Sequence, residues 1–150
     1  MHYHKGILMA QQNTIPQSAC ICINLRRIAA KVTDFYDKAL KPAGVTINQY
    51  SLLINISRME GCGTGALARL VGLERSTLVR TLAPLLNAGL IEDKSPAQIR
   101  KRALYLTASG HDTLKTGLPL WEKAQHDIFS KFGDGYESFM DTFHKIATLE

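Results

Sequence analysis

Between Ser18 and Leu40 the apolar residues Cys22, Leu25, Ile28, Ala29, Val32, Phe35, Tyr36, Ala39 and Leu40 recur at steps of three and four. That spacing gathers one face of an α-helix. Pro42 and Gly44 mark its end. Thr46 stands as a cap before INQYSLLINISRM, a second helix, and EGCGTG after it reads as a turn. Thr64 can cap a short third helix, GALARLVG, expected to be buried through Leu67, Leu70 and Val71, with Gly72 placed to end it. Leu73 and Glu74 lead into a fourth helix that runs to about Ala88, and Gly89 stops it. A short helix, a tight turn containing Gly and a second helix make a helix-turn-helix arrangement.

LIED and ALYLT then read as two short strands around the polar hairpin KSPAQIRKR. Beyond Thr107-Ala-Ser-Gly, Leu114, Leu118, Trp121, Ala124, Ile128 and Phe132 recur at helical spacing. Pro119 removes one hydrogen bond from that helix and is expected to kink it. GDG ends it, and YESFMDTFHKIATL forms a last amphipathic helix with Phe139, Phe143 and Ile146 on one face. Residues 1–17 carry no period and read as a flexible N-terminal arm. The fold class is therefore mainly α, with one small β-hairpin.

The fourth helix has an unusual polar face. Leu78, Leu82 and Leu85 fall on one side, with Leu86 and Val79 beside them, and Ser76, Thr77, Arg80, Pro84 and Asn87 lie opposite. Hydroxyls, an arginine and an amide suit a DNA major groove, where Arg binds guanine O6 and N7 and hydroxyls meet bases or phosphates. Ser76 to Arg80 form the N-terminal part, which a recognition helix directs at base edges. Arg75 lies on the flank, about 60° from the centre of the apolar face, and is expected to meet a phosphate or an intramolecular carboxylate rather than a base. Arg100, Lys101 and Arg102 stand at the base of the second strand, where the hairpin would follow the DNA backbone or the minor groove. A solvated surface would explain each feature alone; their combination is far more specific.

Charge sharpens this reading. The net charge of +5 is unevenly spread: residues 1–43 hold six Lys/Arg against two acids, 44–107 hold eight against four, and 108–150 hold four against seven. The basic excess sits in the first two thirds, as a polyanion partner requires. A length of 150 residues and 45% apolar content allow one domain with a real core. Three cysteines, an odd number, argue against a disulfide framework, and neither Cys20-x-Cys22 nor Cys62 has zinc-site partners at the usual spacing. No apolar run approaches the roughly 20 residues of a membrane helix, and the start lacks a signal-peptide centre. The expected compartment is the cytoplasm. An enzyme reading would rest on His111–Asp112 and His126–Asp127, but on one helix these pairs lie over about 20 Å apart and cannot share a metal ion. No catalytic residue, metal or cofactor is expected.

With ALARLVGLERSTLVRTLAPLLNAGLIE followed by RALYLTASG and PLWEKAQ, the chain resembles the MarR family of bacterial transcription regulators over about residues 20–148. The resemblance implies a winged helix-turn-helix repressor that binds a pseudo-palindromic operator in double-stranded DNA as a homodimer. Residues 18–45 and 108–150 would form the helical dimerisation region, and 46–107 the DNA-binding lobe. Small effectors, here an aromatic or apolar molecule between the two, or oxidants would release it. Carried over by position, Ser76, Thr77 and Arg80 would be recognition-helix contacts and Arg100 the wing arginine. The wing departs from the family's D-x-x-D-R-R: Ser95, Gln98 and Ile99 stand where Asp, Asp and Arg are expected. That departure is the best support for the alternative of a winged-helix module that binds protein and not DNA. Cys20 and Cys22 would lie at the dimer interface as candidate redox residues. A bond between them within a helix is geometrically poor, so any disulfide would join subunits or involve a frayed first turn. Cys62, in its Gly-rich loop, is expected to be exposed.

Overall fold

The computed structural model describes residues 18–149, so the arm expected over residues 1–17 lies outside them. The described elements are α1 (Ile21–Leu40), α2 (Ile47–Arg58), α3 (Thr64–Val71), α4 (Arg75–Asn87), β1 (Ile91–Asp93), β2 (Leu104–Leu106), α5 (Ala108–Phe129) and α6 (Tyr136–Ala147), with 3₁₀ turns at Lys41–Ala43 and Gly133–Gly135. The chain divides into two compact units at Asp34/Phe35. In the first, Ser18 and Asn24 clasp the start of α1: the Ser18 N–H donates to Asn24 Oδ1 (2.9 Å), and Asn24 Nδ2 donates to the Ser18 carbonyl (2.7 Å).

The second unit holds the core. Thr46 and Gln49 form a capping box, each side chain accepting the other's backbone N–H, which fixes the start of α2. Asp37 Oδ1 accepts the Ile47 N–H at 2.7 Å and ties that cap to the end of α1. Leu40, Leu53, Ile56, Leu67, Leu78 and Leu82 are wholly buried together, and Leu85, Ile91 and Leu104 complete the same cluster. Leucines spaced along α4 thus meet α2 and α3 on one side and the hairpin on the other. Gly72 ends α3 in the left-handed region (φ +65°), a backbone state that a side chain would oppose, and lets the chain turn within three residues into α4.

Strands β1 and β2 pair antiparallel with Ile91 opposite Leu106 and Asp93 opposite Leu104. Cys62 joins this hairpin through one isolated antiparallel bridge to Leu104. Leu104 N–H donates to the Cys62 carbonyl (3.0 Å) and Gly61 N–H donates to the Leu104 carbonyl (2.9 Å). This overturns the expectation of an exposed Cys62: the pairing holds its loop beneath the hairpin, the residue is only 8% exposed, and burial pushes its thiol up. Leu70 also differs from expectation. Thr64, Leu67 and Ala68 take the inward arc of α3, and Leu70 lies about 110° from its centre at 100° per residue, leaving it 55% exposed.

At the root of α5, Thr107 caps the helix by accepting the Gly110 N–H, while its own hydroxyl donates to the Gly89 carbonyl (2.6 Å) and its N–H to the Leu90 carbonyl (3.1 Å). Gly110 passes so close to the Leu90 carbonyl that a Cβ there would collide with it. The helix continues through Pro119, which withholds one hydrogen bond from the chain without ending it. It stops at Phe129, so Phe132 stands outside the helix and packs on Tyr136 and Phe139, ring centroids 5.5 and 4.8 Å away. No residue of α6 is buried, and Phe139, Phe143 and Ile146 keep close to half their surface exposed. No described helix is long and apolar enough to cross a membrane.

Candidate nucleic-acid interface

The two short helices and their turn come together as the pattern requires. The Leu73 N–H donates to the Ala68 carbonyl (3.0 Å) across the turn, and the Leu78 N–H donates to the Glu74 carbonyl (2.9 Å) as α4 begins. Because Leu78, Leu82 and Leu85 are all inside, the outer face of α4 is fixed: Arg75, Ser76, Val79 and Arg80 line one shallow, open surface. Thr77 does not join them. It is half-buried on the flank toward α2, where it lines a hollow with Asn48, Ser51 and Thr81, and its carbonyl accepts the Thr81 hydroxyl at 2.9 Å. Val79, read from the sequence as a neighbour of the core, is 38% exposed between the arginines. At 100° per residue it sits about 90° from the leucine centre, a position that only the packing of α3 and α2 could decide.

The wing is organised from its neck. Asp93 Oδ1 accepts the N–H of Ser95 and of Ala103, both at 3.0 Å, and the Lys94 N–H donates to the Ala103 carbonyl (2.9 Å). Arg102 Nε lies 3.8 Å from Asp93 Oδ2. Partial desolvation pushes the Asp93 carboxyl up, but the hydrogen bonds from Ala103 and Ser95 and the Arg102 charge outweigh it and hold the group below its ordinary range. Lys94 turns inward too, 3.1 Å from Glu92 and over the Tyr105 ring. Of the three basic wing residues, Arg102 is thus engaged within the hairpin. Arg100 and Lys101 are exposed and reach toward the start of α3, where they line a hollow of about 450 Å³ with Arg69 and Arg75. Arg75, Arg100 and Lys101 therefore form one group, and Ser76 and Arg80 another beside it.

Two further features lie apart from this surface. A cleft between α2 and α5 is walled by Tyr50, Ile54, Leu114, Leu118 and Trp121, with Arg58 and Lys115 at its rim. Tyr50 is held there by its hydroxyl on the Leu114 carbonyl (3.2 Å), with its ring against Gly117. In the first unit, Cys20 precedes the first residue of α1 and Cys22 is its second residue; both are exposed, and the Cys20 N–H donates to Ser18 Oγ. Among the described residues no three His, Cys, Asp or Glu side chains gather where they could hold a metal ion.

A model of the MarR family matches residues 45–96. The transcriptional regulator HosA of Escherichia coli O111:H- is 28% identical over 104 residues, which span 68% of this chain and 77% of HosA. Among solved structures, the M. tuberculosis transcriptional regulator MosR in complex with DNA is 32% identical with a TM-score of 0.72, covering 87% of this chain and 99% of MosR. CouR from Rhodococcus jostii RHA1 bound to p-coumaroyl-CoA is 25% identical with a TM-score of 0.66, covering 89% of this chain and 96% of CouR.

Proposed function

Because the chain belongs to the MarR family of winged-helix DNA-binding transcriptional regulators, we propose that it is a cytoplasmic repressor that binds a pseudo-palindromic operator as a homodimer. The observation that carries this reading is the outer face of α4, where Ser76, Val79 and Arg80 stand free over a fully buried leucine stripe. Arg80 reads guanine through O6 and N7, Ser76 contacts a base or phosphate, and Val79 meets a thymine methyl. Two such helices enter successive major grooves about 34 Å apart. Thr77 supports the position of α4 through its flank and contributes less to base reading.

A second copy of the chain is the occupant that suits the apolar faces of α1 and α6. Ile21, Leu25 and Ile28, and separately Phe139 and Phe143, are exposed in a way a soluble monomer rarely tolerates. The cleft between α2 and α5 suits a flat aromatic effector with an anionic group: Trp121 and Leu118 would take the ring, and Arg58 and Lys115 the charge. CouR, with its p-coumaroyl-CoA, is a relative of that kind. Oxidation offers a second release. One peroxide would take two electrons from the thiols of Cys20 and Cys22 or their counterparts in the second copy, giving one disulfide and two waters.

Fluorescence anisotropy on a duplex from the gene's own upstream region, against a scrambled duplex and over a salt series, tests the proposal. Specific binding by a dimer with a steep salt slope is the expected result. Equal, weak binding to both duplexes would favour a protein partner for the α4 face.

A further inference from the structure

We propose that Ile99, at the tip of the wing, is a specificity-determining residue that reads the minor groove by shape, admitting A·T pairs and excluding the amino group of guanine. The inference rests on the DNA-binding reading and deepens it, giving the uncharged wing tip a role of its own.

The tip is short and firmly held. Asp93 closes its neck on the N–H groups of Ser95 and Ala103, and the Ile99 N–H donates to the Pro96 carbonyl (2.9 Å), which closes a tight turn over residues 96–99. Pro96 fixes one more backbone angle. Pro96, Ala97, Gln98 and Ile99 are all exposed, Ile99 at 55%. Residues 95–99 carry no charge. The charges at the neck are turned to the hairpin itself, Lys94 to Glu92 and the Tyr105 ring, Arg102 to Asp93. Arg100 follows Ile99 directly and with Lys101 belongs to the basic surface that runs to Arg69 and Arg75. The apolar tip is therefore continuous with the candidate nucleic-acid interface, one residue beyond its cations.

The side chain defines what it can read. An arginine is drawn into a narrow minor groove by its negative potential. Ile99, which stands where an arginine is expected, has no charge and gains only by contact and by expelling water. On the groove floor A·T and T·A present the acceptors adenine N3 and thymine O2, whereas G·C adds the guanine N2 amino donor. Isoleucine cannot accept that hydrogen bond, and pressed against the floor it would strip the donor of water and leave it unpaired. Its β-branch restricts rotation about the first side-chain bond, so little freedom is lost on seating. Gln98 beside it can donate its amide to N3 or O2 of the pairs that Ile99 admits. Apolar side chains do enter minor grooves, and this one is carried by a closed turn.

The test uses the full-length protein and an operator duplex selected from a randomised pool, read by fluorescence anisotropy. Minor-groove chemistry is altered one pair at a time: 2,6-diaminopurine for adenine adds the N2 amino group, and inosine for guanine removes it. At one or two positions flanking the α4 site in each half, diaminopurine should weaken wild-type binding about fivefold. Guanine there should cost as much, and inosine should recover the loss. Ile99→Ala, an exposed change that leaves every charge in place, should lose most of the diaminopurine penalty. Ile99→Arg should steepen the salt slope by about one per wing. If diaminopurine costs the wild type nothing at any position, or costs Ile99→Ala just as much, the proposal is overturned while the DNA-binding reading stands. A penalty kept in Ile99→Ala and lost in Arg100→Ala would give the groove to the arginine. An unchanged salt slope in Ile99→Arg would place the tip away from DNA and leave it to a protein partner. If no duplex is selected at all, the DNA-binding reading fails and this inference with it.

Discussion

Asp93 and Arg102 face each other across the neck of the wing, with the carboxylate Oδ2 3.8 Å from the guanidinium Nε. The other carboxylate oxygen accepts two backbone N–H groups, those of Ser95 and Ala103. One side chain thus closes the hairpin whose tip lacks the family's acidic residues. Asp93→Ala should free both N–H groups and cost about 1–2 kcal/mol of local stability, seen as faster amide exchange at Ser95 and Ala103. Because its carboxyl is held below the ordinary range, the tie is complete above the unfolded value near about 4 and is lost as pH falls through the lower folded value. Protection of these two amides, measured against their intrinsic exchange rates, should therefore fall only in acid; unchanged protection in Asp93→Ala would remove Asp93 from this role.

Arg80→Ala should cost about 1–3 kcal/mol on the operator and blur preference at one base pair. An equal loss on random DNA would make Arg80 a phosphate contact instead.

Val79 permits a cleaner experiment. Replacing a contacted thymine by deoxyuridine removes only its methyl group. That change should weaken wild-type binding severalfold and leave Val79→Ala indifferent. Identical losses in both proteins would exclude Val79 from base reading.

Gly117 packs against the buried ring of Tyr50. An exposed helical Gly→Ala change gains up to about 1 kcal/mol, but here the new methyl would displace a ring with nowhere to go. Gly117→Ala should instead lose about 1–3 kcal/mol, a fall of several degrees in thermal midpoint. A raised midpoint would show the ring to be mobile.

The three thiols should separate by reactivity. Cys20 and Cys22 are exposed and should alkylate quickly, whereas the raised and buried Cys62 should react only as fast as its loop opens. Peroxide should weaken operator binding reversibly in the wild type and not in Cys20→Ser or Cys22→Ser. Loss of binding in the serine variants as well would move the oxidant's target elsewhere.

What could be read in advance was whatever depends on neighbours along the chain. The leucine face of α4, the Gly72 turn, the Thr46 cap and the hairpin all follow from local spacing, whereas the cap expected at Thr64 falls to Gly63, one residue earlier. Cys62 escaped because its burial comes from pairing with Leu104, far along the chain, and Leu70 because an eight-residue helix has room for only one inward arc. Val79 and Thr77 lie on opposite flanks at nearly equal angles from the core. Only the neighbouring α2 decides that one is covered and the other bare. The basic group around Thr64 was legible as charge but not as a place, since its members come from three separate segments.

The joint at Thr107 has a mechanical meaning. Its hydroxyl and N–H hold the carbonyls of Gly89 and Leu90, and Gly110 presses on the same backbone. The segment that follows α4 and the root of α5 are therefore pinned together by two hydrogen bonds and one close backbone contact. Such a joint works as a lever arm: a tilt of α5 would be passed to the backbone that follows α4. On the proposed reading, an effector in the cleft beside Trp121 would act on α4 through this joint and not by reshaping the residues of its outer face.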